Sequence, residues 1–253
     1  MSASEGGLSP ASDVGTESVE PRPVESRLPQ LARPSMRTAH ASVTDLLRSS
    51  IMTGKLAAGT RLVQSELADM LSVSITPIRE ALRQLTTEGL VDFDAFRGAI
   101  VHMPSTNEMR DLYEVRRALI PINVRKGVAR ITPEELAEAS RLADEMTTAD
   151  DESWVVLNLQ FHNVLDNASA NAHLAAILSR LSILSGLYVN LCVGLRDTYR
   201  DRAAAEHLQL VEAYSNGDVE RAVDLNLRHL AATVDAAEAA FPTGNDRPNG
   251  QSA

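Results

Sequence analysis

The chain has 253 residues, of which 44% are hydrophobic, and this is enough to build a hydrophobic core without disulfide cross-links. Its single cysteine, Cys192, cannot form an internal bridge, so a small disulfide scaffold is excluded. The net charge of −10 argues against a surface that binds nucleic acid throughout.

The charge is unevenly distributed. Between Arg37 and Met103, seven arginines and lysines balance seven acidic residues, so the acidity lies mainly in the C-terminal part. Any DNA-binding surface must therefore be local.

Nothing in the pattern suggests a membrane protein. Residues 1–36 hold no apolar run that resembles a signal peptide. The longest apolar stretch, residues 174–195, is interrupted by arginine, asparagine and serines and is typical of a buried helix. We expect a cytoplasmic protein with no membrane partner.

The N-terminal third begins with a segment of low hydrophobicity. Residues 1–36 are rich in Ser, Pro, Glu and Gly and predict a disordered tail. Apolar residues at helical spacing then predict a first helix from Ala41 to Met52, which ends at Thr53 and Gly54.

Two more helices and a hairpin follow. Residues 67–73 predict a short helix, and Thr76 as N-cap with Pro77 in the first turn predicts another that runs to Glu88. Residues 90–94 and 98–102 alternate like two strands. Residues 37–103 are therefore predicted to form a winged helix-turn-helix.

Beyond Pro104 the pattern is helical. Ser105 or Thr106 with Glu108, and Thr132 with Pro133, are start signals. Helices are expected over about 105–130, from 133, and over 151–167, 171–193, 198–214 and 217–240. The predicted fold class is mainly α: a winged helix-turn-helix followed by an all-α antiparallel helical bundle at 105–241, with a flexible tail at 242–253.

The first turn of the third helix carries the side chains expected to meet DNA. A recognition helix presents small polar and cationic residues to the major groove, and Ser74, Thr76 and Arg79 are of this kind. Arg97 and Gly98 at the hairpin tip could approach the DNA backbone or the narrow groove. The alternative is a winged helix used for protein contacts, with these residues merely solvated.

The same segment resembles the GntR family of bacterial transcription regulators, in the FadR-type subgroup. The resemblance lies in Glu66-Leu67-Ala68, residues 73–83, Glu88-Gly89-Leu90-Val91 and Arg97-Gly98-Ala99. It implies that Arg79 touches DNA. It also implies a contact at Ile75, where the family commonly has arginine, so a changed operator preference is expected, with a thymine methyl as a substitute contact.

Three histidines of the bundle are predicted to point inward. Asn158 and His162 lie one turn apart on an apolar face, and His207 and His229 lie on the apolar stripes of two later helices. Each could be a satisfied core residue. A divalent metal could instead serve all three imidazoles at once, because several buried rings are costly without a shared partner.

Residues 105–240 resemble the FadR-type C-terminal (FCD) domain. The resemblance lies in residues 112–119, Phe161-His162, Asn171 and the spaced His207 and His229. It implies a metal site at Asn158, His162, His207 and His229. Asn158 replaces the usual aspartate, so the full +2 charge would remain and attract an anionic effector. Zinc or nickel suits imidazole ligands.

Two further residues are candidates for binding an effector carboxylate. The guanidinium of Arg116 matches a carboxylate in shape, although a solvated or interdomain salt bridge is equally consistent with the sequence. Asn226 is expected to face the same way as His229. The resemblance places glutamate where this chain has Ile120.

The sequence therefore predicts a ligand-responsive regulator: a homodimer that binds a near-palindromic DNA operator and a small carboxylate effector. Two alternatives stay open. One is a metal-dependent hydrolase, although no general base is evident and Glu206 should project away from the pocket. The other is a regulator whose effector pocket is free of metal.

Overall fold

The computed structural model describes residues 39–94, 96–193 and 196–241. The predicted disordered tail at 1–36 and flexible tail at 242–253 lie outside the described residues. The described part is mainly helical, with one antiparallel hairpin. Its elements are α1 (Ala39–Met52), α2 (Gln64–Leu71), α3 (Ile75–Glu88), β1 (Val91–Asp94), β2 (Gly98–Val101), α4 (Thr106–Val128), α5 (Pro133–Met146), α6 (Asp151–Asn167), α7 (Ala172–Val193), α8 (Arg196–Ser215) and α9 (Val219–Ala240).

The turn between α2 and α3 differs from its prediction by a few residues. Helix α2 ends at Leu71, because Ser72 adopts a left-handed conformation with φ of 53°. The N-cap of α3 is Ser74, so the prediction of Thr76 as N-cap was wrong. Pro77 is tolerated inside the first turn because the amides there have no intrahelical acceptor.

The hairpin forms the predicted wing. Strands β1 and β2 pair antiparallel with Val91 opposite Val101 and Asp94 opposite Gly98. A bridge between Arg61 and Ile100 adds a third extended segment. The winged helix-turn-helix predicted from the alternation and the turn signals is confirmed.

Capping side chains fix the N-terminal ends of several helices in the bundle. The Ser105 hydroxyl accepts a hydrogen bond from the Glu108 amide. Ser105 is thus the cap of α4, which was one of the two predicted candidates, Ser105 and Thr106. Thr132 and Glu135 form a reciprocal capping box at the start of α5. At the start of α6, the Asp150 carboxylate accepts a hydrogen bond from the Ser153 amide. Local chemistry therefore fixes where these helices begin.

Two hydrophobic cores meet at α7. One core fills the N-terminal module and includes Leu187 of α7, and the other fills the bundle and includes Met52 of α1. Gly186 allows the contact, because a Cβ there would lie 2.5 Å from Cε of Met52. The DNA-binding module and the bundle thus share a packed boundary along one helix.

Helix α7 is long and apolar enough to cross a membrane by composition alone, with a mean hydropathy of 1.6 in its most apolar window. Half of that window is buried inside the protein. Its residues contribute to both cores. This agrees with the buried helix predicted from the polar residues that interrupt the apolar stretch.

Candidate functional site

The first turn of α3 presents one exposed surface. Ser74, Ile75, Thr76 and Arg79 are all exposed, and Ile78 behind them is fully buried in the N-terminal core. The hydroxyl of Ser74 makes no capping hydrogen bond, so it is available to a ligand. The four predicted residues of the recognition helix therefore lie together at its solvent-facing N-terminal end.

The tip of the wing is built by a local turn. A side-chain oxygen of Asp94 accepts from the amides of Phe96 and Arg97, both at 2.7 Å, and these bonds hold the pKa of Asp94 below its usual value. Gly98 has φ of +77° and open space where a Cβ would stand. Exposed Arg97 thus lies beside a backbone that a ligand can approach closely.

The sequence reasoning missed two aromatic side chains on this wing. Phe93 is 69% exposed and Phe96 is 96% exposed. Such exposure is unusual in a chain that is only 4% aromatic. The sequence did contain a signal for an exposed aromatic side chain, because Phe96 directly precedes Arg97 at the predicted hairpin tip.

A second candidate site is a cavity inside the bundle. Helices α4, α6, α7 and α9 contribute its walls. Its polar lining comprises Tyr113, Arg116, Asn158, His162, Ser182, Ser185, His229 and Thr233. Its volume is about 20 Å³, and a single water needs roughly 10–15 Å³, so it admits an ion or a very small ligand group.

Two of the three predicted histidines, His162 and His229, line this cavity, and the third, His207, packs against both of them. The ring centroids of His162, His207 and His229 lie 4.9–5.3 Å apart in each pair. One ligand nitrogen from each ring lies within 4.8 Å of the others. His207 is fully buried and packs against Phe161, with ring centroids 4.5 Å apart.

The chemistry of this cluster fits a divalent metal. Both ring nitrogens of His207 and the Oδ1 atom of Asn158 are buried without a hydrogen-bond partner among residues 39–94, 96–193 and 196–241, which is costly for polar atoms. Burial, and after it the neighbouring imidazoles, hold the pKa values of His162 and His207 well below the usual range. Neutral imidazoles with free lone pairs are the form that binds metal ions.

Glu206 has a role that the sequence reasoning missed. As the sequence predicts, Glu206 does not line the cavity. Its Oε2 atom nevertheless lies 2.6 Å from Nδ1 of His229. Partial burial, the largest single effect, raises the pKa of Glu206, but the hydrogen bond with His229 and the nearby charges of His229, Arg202 and Arg228 together outweigh it and lower that pKa. A carboxylate that holds Nδ1–H leaves Nε2 of His229 as the nitrogen available to a metal.

Arg116 is buried beside the histidines. It is 5% exposed, and its Nη1 donates to Oγ of Ser185 at 2.5 Å. Its Nε is buried without a partner, and no carboxylate of the described residues lies within salt-bridge distance. The alternative of a solvated or salt-bridged Arg116 was therefore wrong.

Two other residues of α4 and α9 do not reach the cavity. Asn226 is 7% exposed, but its amide donates to the Ala222 carbonyl of its own helix. It is not among the cavity-lining residues, so the expectation that it binds an effector there is not supported by its position. Ile120 is 4% exposed and packs in the bundle core.

Family comparison matches both parts of the chain. Residues 39–101 match the family of bacterial regulatory proteins named gntR, and residues 111–232 match the FCD domain. The HTH-type transcriptional regulator BphR of Paraburkholderia xenovorans is 31% identical over 198 residues, 74% of this chain and 80% of BphR. The chain belongs to the GntR family.

Other similarities agree. A probable D-xylose utilization operon transcriptional repressor of Paenarthrobacter nicotinovorans is 27% identical, over 79% of this chain and 88% of that protein. The structure of McbR from Escherichia coli has a TM-score of 0.72 at 20% identity and covers 81% of this chain and 99% of McbR, which shows the shared fold.

This GntR-family chain with an FCD domain is a DNA-binding transcription regulator and not an enzyme. The hydrolase alternative is set aside on that ground.

Proposed function

We propose that the chain represses transcription from a near-palindromic DNA operator as a cytoplasmic homodimer, with no membrane partner. The module at residues 37–103 would bind DNA, and the bundle at 105–241 would dimerise and bind a small organic acid. Support for repression comes from relatives that are named as repressors, such as the D-xylose regulator. The DNA contacts are assigned to Ser74, Ile75, Thr76, Arg79, Arg97 and Gly98.

We assign a divalent metal, zinc or nickel, to Asn158, His162, His207 and His229. The observation that carries this assignment is the fully buried His207, whose two ring nitrogens have no hydrogen-bond partner in the part of the chain that the structure describes. Four neutral ligands would leave the +2 charge of the ion uncompensated. When bound, the metal would therefore supply an electrostatic attraction for an anionic ligand.

The effector is assigned a carboxylate because of Arg116. Its Nε and the Oγ of Ser182 have no hydrogen-bond partner among the described residues, and both belong to residues that line the cavity. A carboxylate accepts two parallel hydrogen bonds from a guanidinium and would satisfy a buried donor that now has no acceptor. The small cavity favours a short acid, or a longer one that widens the site.

Helix α7 offers a route from effector to DNA. Ser182 and Ser185 line the cavity, and Leu187 of the same helix packs in the N-terminal core. An acid that draws Arg116 away from Ser185 would change the packing of α7 and favour one arrangement of the DNA-binding modules. The operator affinity would change by the ratio of effector affinities in the two arrangements.

A metal-free effector pocket is the second candidate. It is favoured by Asn158, since a neutral amide is a weaker metal ligand than a carboxylate. In that case Arg116 and neutral donors alone would hold the acid.

The test is a thermal-shift screen of small carboxylic acids on the purified protein as isolated, with added zinc, and after chelator treatment. At about a hundredfold excess over its Kd, a ligand stabilises the folded state by about 2.7 kcal/mol. We expect zinc to raise the melting midpoint and acids to raise it further only when zinc is present.

Two variants make the screen decisive. His207→Ala should lose the zinc-dependent shift, and His173→Ala, at an exposed position on α7, should keep it. An acid-induced shift that is unaffected by chelator and by His207→Ala would establish the metal-free pocket. Equal zinc content in wild type and His207→Ala would contradict the metal assignment.

A further inference from the structure

Helix α4 carries an apolar stripe that the described chain leaves largely exposed. Val115 is 47% exposed and Ile122 is 51% exposed. Ala118 is exposed and Leu119 is half-buried. Their i, i+3, i+4 and i+7 spacing places all four on one helix face, while Tyr113 and Ile120 point into the core from the other side.

The stripe ends in opposite charges. Asp111 lies one turn before Val115, and Lys126 lies one turn after Ile122, on the same face. Both are exposed, and neither makes a salt bridge with any residue that the structure describes. They are 15 positions apart, about 22 Å along the helix, so they cannot pair with each other within one chain.

This arrangement is complementary to itself. The midpoint between Ala118 and Leu119 is also the midpoint between Val115 and Ile122, and between Asp111 and Lys126. A two-fold axis through that point turns the stripe onto itself with the helix direction reversed. Each apolar residue then meets an apolar residue, and each charge meets its opposite, as an isologous interface requires.

The side chains at the centre of the stripe also match in size. The symmetry places the small Ala118 opposite Leu119 of the partner subunit, and a small residue against a large one lets two helices approach closely. A different protein or DNA would not require the stripe to be complementary to itself. The second copy of this chain is therefore the occupant that the pattern favours.

We propose that α4 pairs antiparallel with α4 of a second copy, centred between Ala118 and Leu119. The proposal rests on the homodimer of the proposed function and gives it a specific surface. It requires Asp111 to face Lys126 of the partner subunit at both ends of the interface.

The test is the mass of the full chain, measured by sedimentation over a range of protein concentrations. We expect the wild type to be a dimer at low micromolar concentration. Ile122→Glu should raise the dimer Kd at least about a hundredfold, because it buries a charge at the interface. Asp111→Lys or Lys126→Asp alone should raise the dimer Kd about tenfold. Each substitution places two charges of the same sign opposite one another at both ends of the interface.

The decisive variant is the charge swap that combines Asp111→Lys with Lys126→Asp, which should restore the dimer Kd. Arg117→Glu is the matched control, since this exposed cation lies on the side of α4 away from the stripe and should leave the mass unchanged. Melting midpoints establish that the variants fold.

Failure of the double swap to restore the dimer, with both single variants weakened, would overturn the pairing of Asp111 with Lys126. A dimer that survives Ile122→Glu would overturn the α4 surface but leave the homodimer of the proposed function intact. A wild type that is monomeric at every concentration would overturn both.

Discussion

At the scale of single residues, the recognition turn combines one cation with an unusual apolar side chain. Arg79 is exposed, and its only ion pair with a described residue is a long 3.9 Å contact with Glu80. It is therefore available for a base or a phosphate. Ile75, 51% exposed beside it, can contribute only apolar contact, such as that with a thymine methyl.

We expect Arg79→Ala to weaken operator binding by about 1–3 kcal/mol if Arg79 reads a base. Fluorescence anisotropy with an operator fragment and with a scrambled fragment measures the effect. Arg141→Ala, on the exposed surface of α5, is the control and should bind both as the wild type does. Unchanged operator binding by Arg79→Ala would remove Arg79 from the interface.

Glu206 is a positioning residue for the assigned metal site. Because its carboxylate holds Nδ1 of His229, Glu206→Gln should lower zinc affinity about 10- to 100-fold while leaving the histidines in place. Competition with a chromogenic chelator measures this affinity. Asp201→Asn, at an exposed position on the same helix, should bind zinc normally. Equal affinities in the two variants would contradict the role of Glu206.

The site residues show what a sequence can reveal. Spacing on amphipathic helices correctly predicted an inward face for Asn158, His207 and His229, which are buried, and for His162, which lines the cavity. Glu206 escaped because its own position on the helix wheel points away from the cavity. Its side chain meets the outer nitrogen of a ring on α9, and only the packing of α8 against α9 brings those groups together.

At the scale of elements, His102 ties the wing to the bundle. Its Nδ1 lies 2.9 Å from Asp92 of β1, and its Nε2 lies 2.8 Å from Glu108 of α4. Burial by itself would lower the pKa of His102, but hydrogen bonds and charge from the two carboxylates raise it to about 9. The imidazolium form thus links two structural elements at neutral pH.

This link makes stability depend on pH. Since the folded pKa exceeds the unfolded value of about 6.5, the contribution is fully present below pH 6.5 and is lost as the pH rises through about 9. We expect about 1–2 kcal/mol, after allowing for solvent screening of the half-exposed carboxylates. Urea unfolding of wild type and His102→Gln from pH 6 to 10 measures it.

The difference between the two proteins should shrink as the pH rises. His173→Gln, an exposed histidine without such partners in the described structure, should follow the wild type at every pH. A constant difference between wild type and His102→Gln would show that the link does not depend on the charge of His102.

Element boundaries were predictable where side-chain chemistry dictates them. The capping box of Thr132 and Glu135 fixed the start of α5. The start of α3 was misplaced because Thr76 and Pro77 suit a helix entry but are equally compatible with the first turn. His102 gave no signal at all, since its two partners lie on different elements that only the folded chain brings together.

At the scale of the whole molecule, the DNA-binding module is fixed to the bundle and not merely tethered to it. Met52 enters the bundle core, and Leu187 enters the N-terminal core. Lys55 forms a 2.6 Å ion pair with Glu152 of α6. Since these contacts restrict how the module can turn, a dimer of such chains holds its two recognition helices at a defined separation.

We therefore expect operator binding by the proposed dimer to depend sharply on the spacing of the half-sites. Adding 5 base pairs between them turns the second half-site about half a helical turn away, and adding 10 restores its direction but moves it about 34 Å. Both insertions should reduce the affinity to that of a single half-site. Fluorescence anisotropy measures this, with a spacer of changed sequence and unchanged length as the control. Equal affinity for all three spacings would mean that the contacts at α7 release when DNA binds.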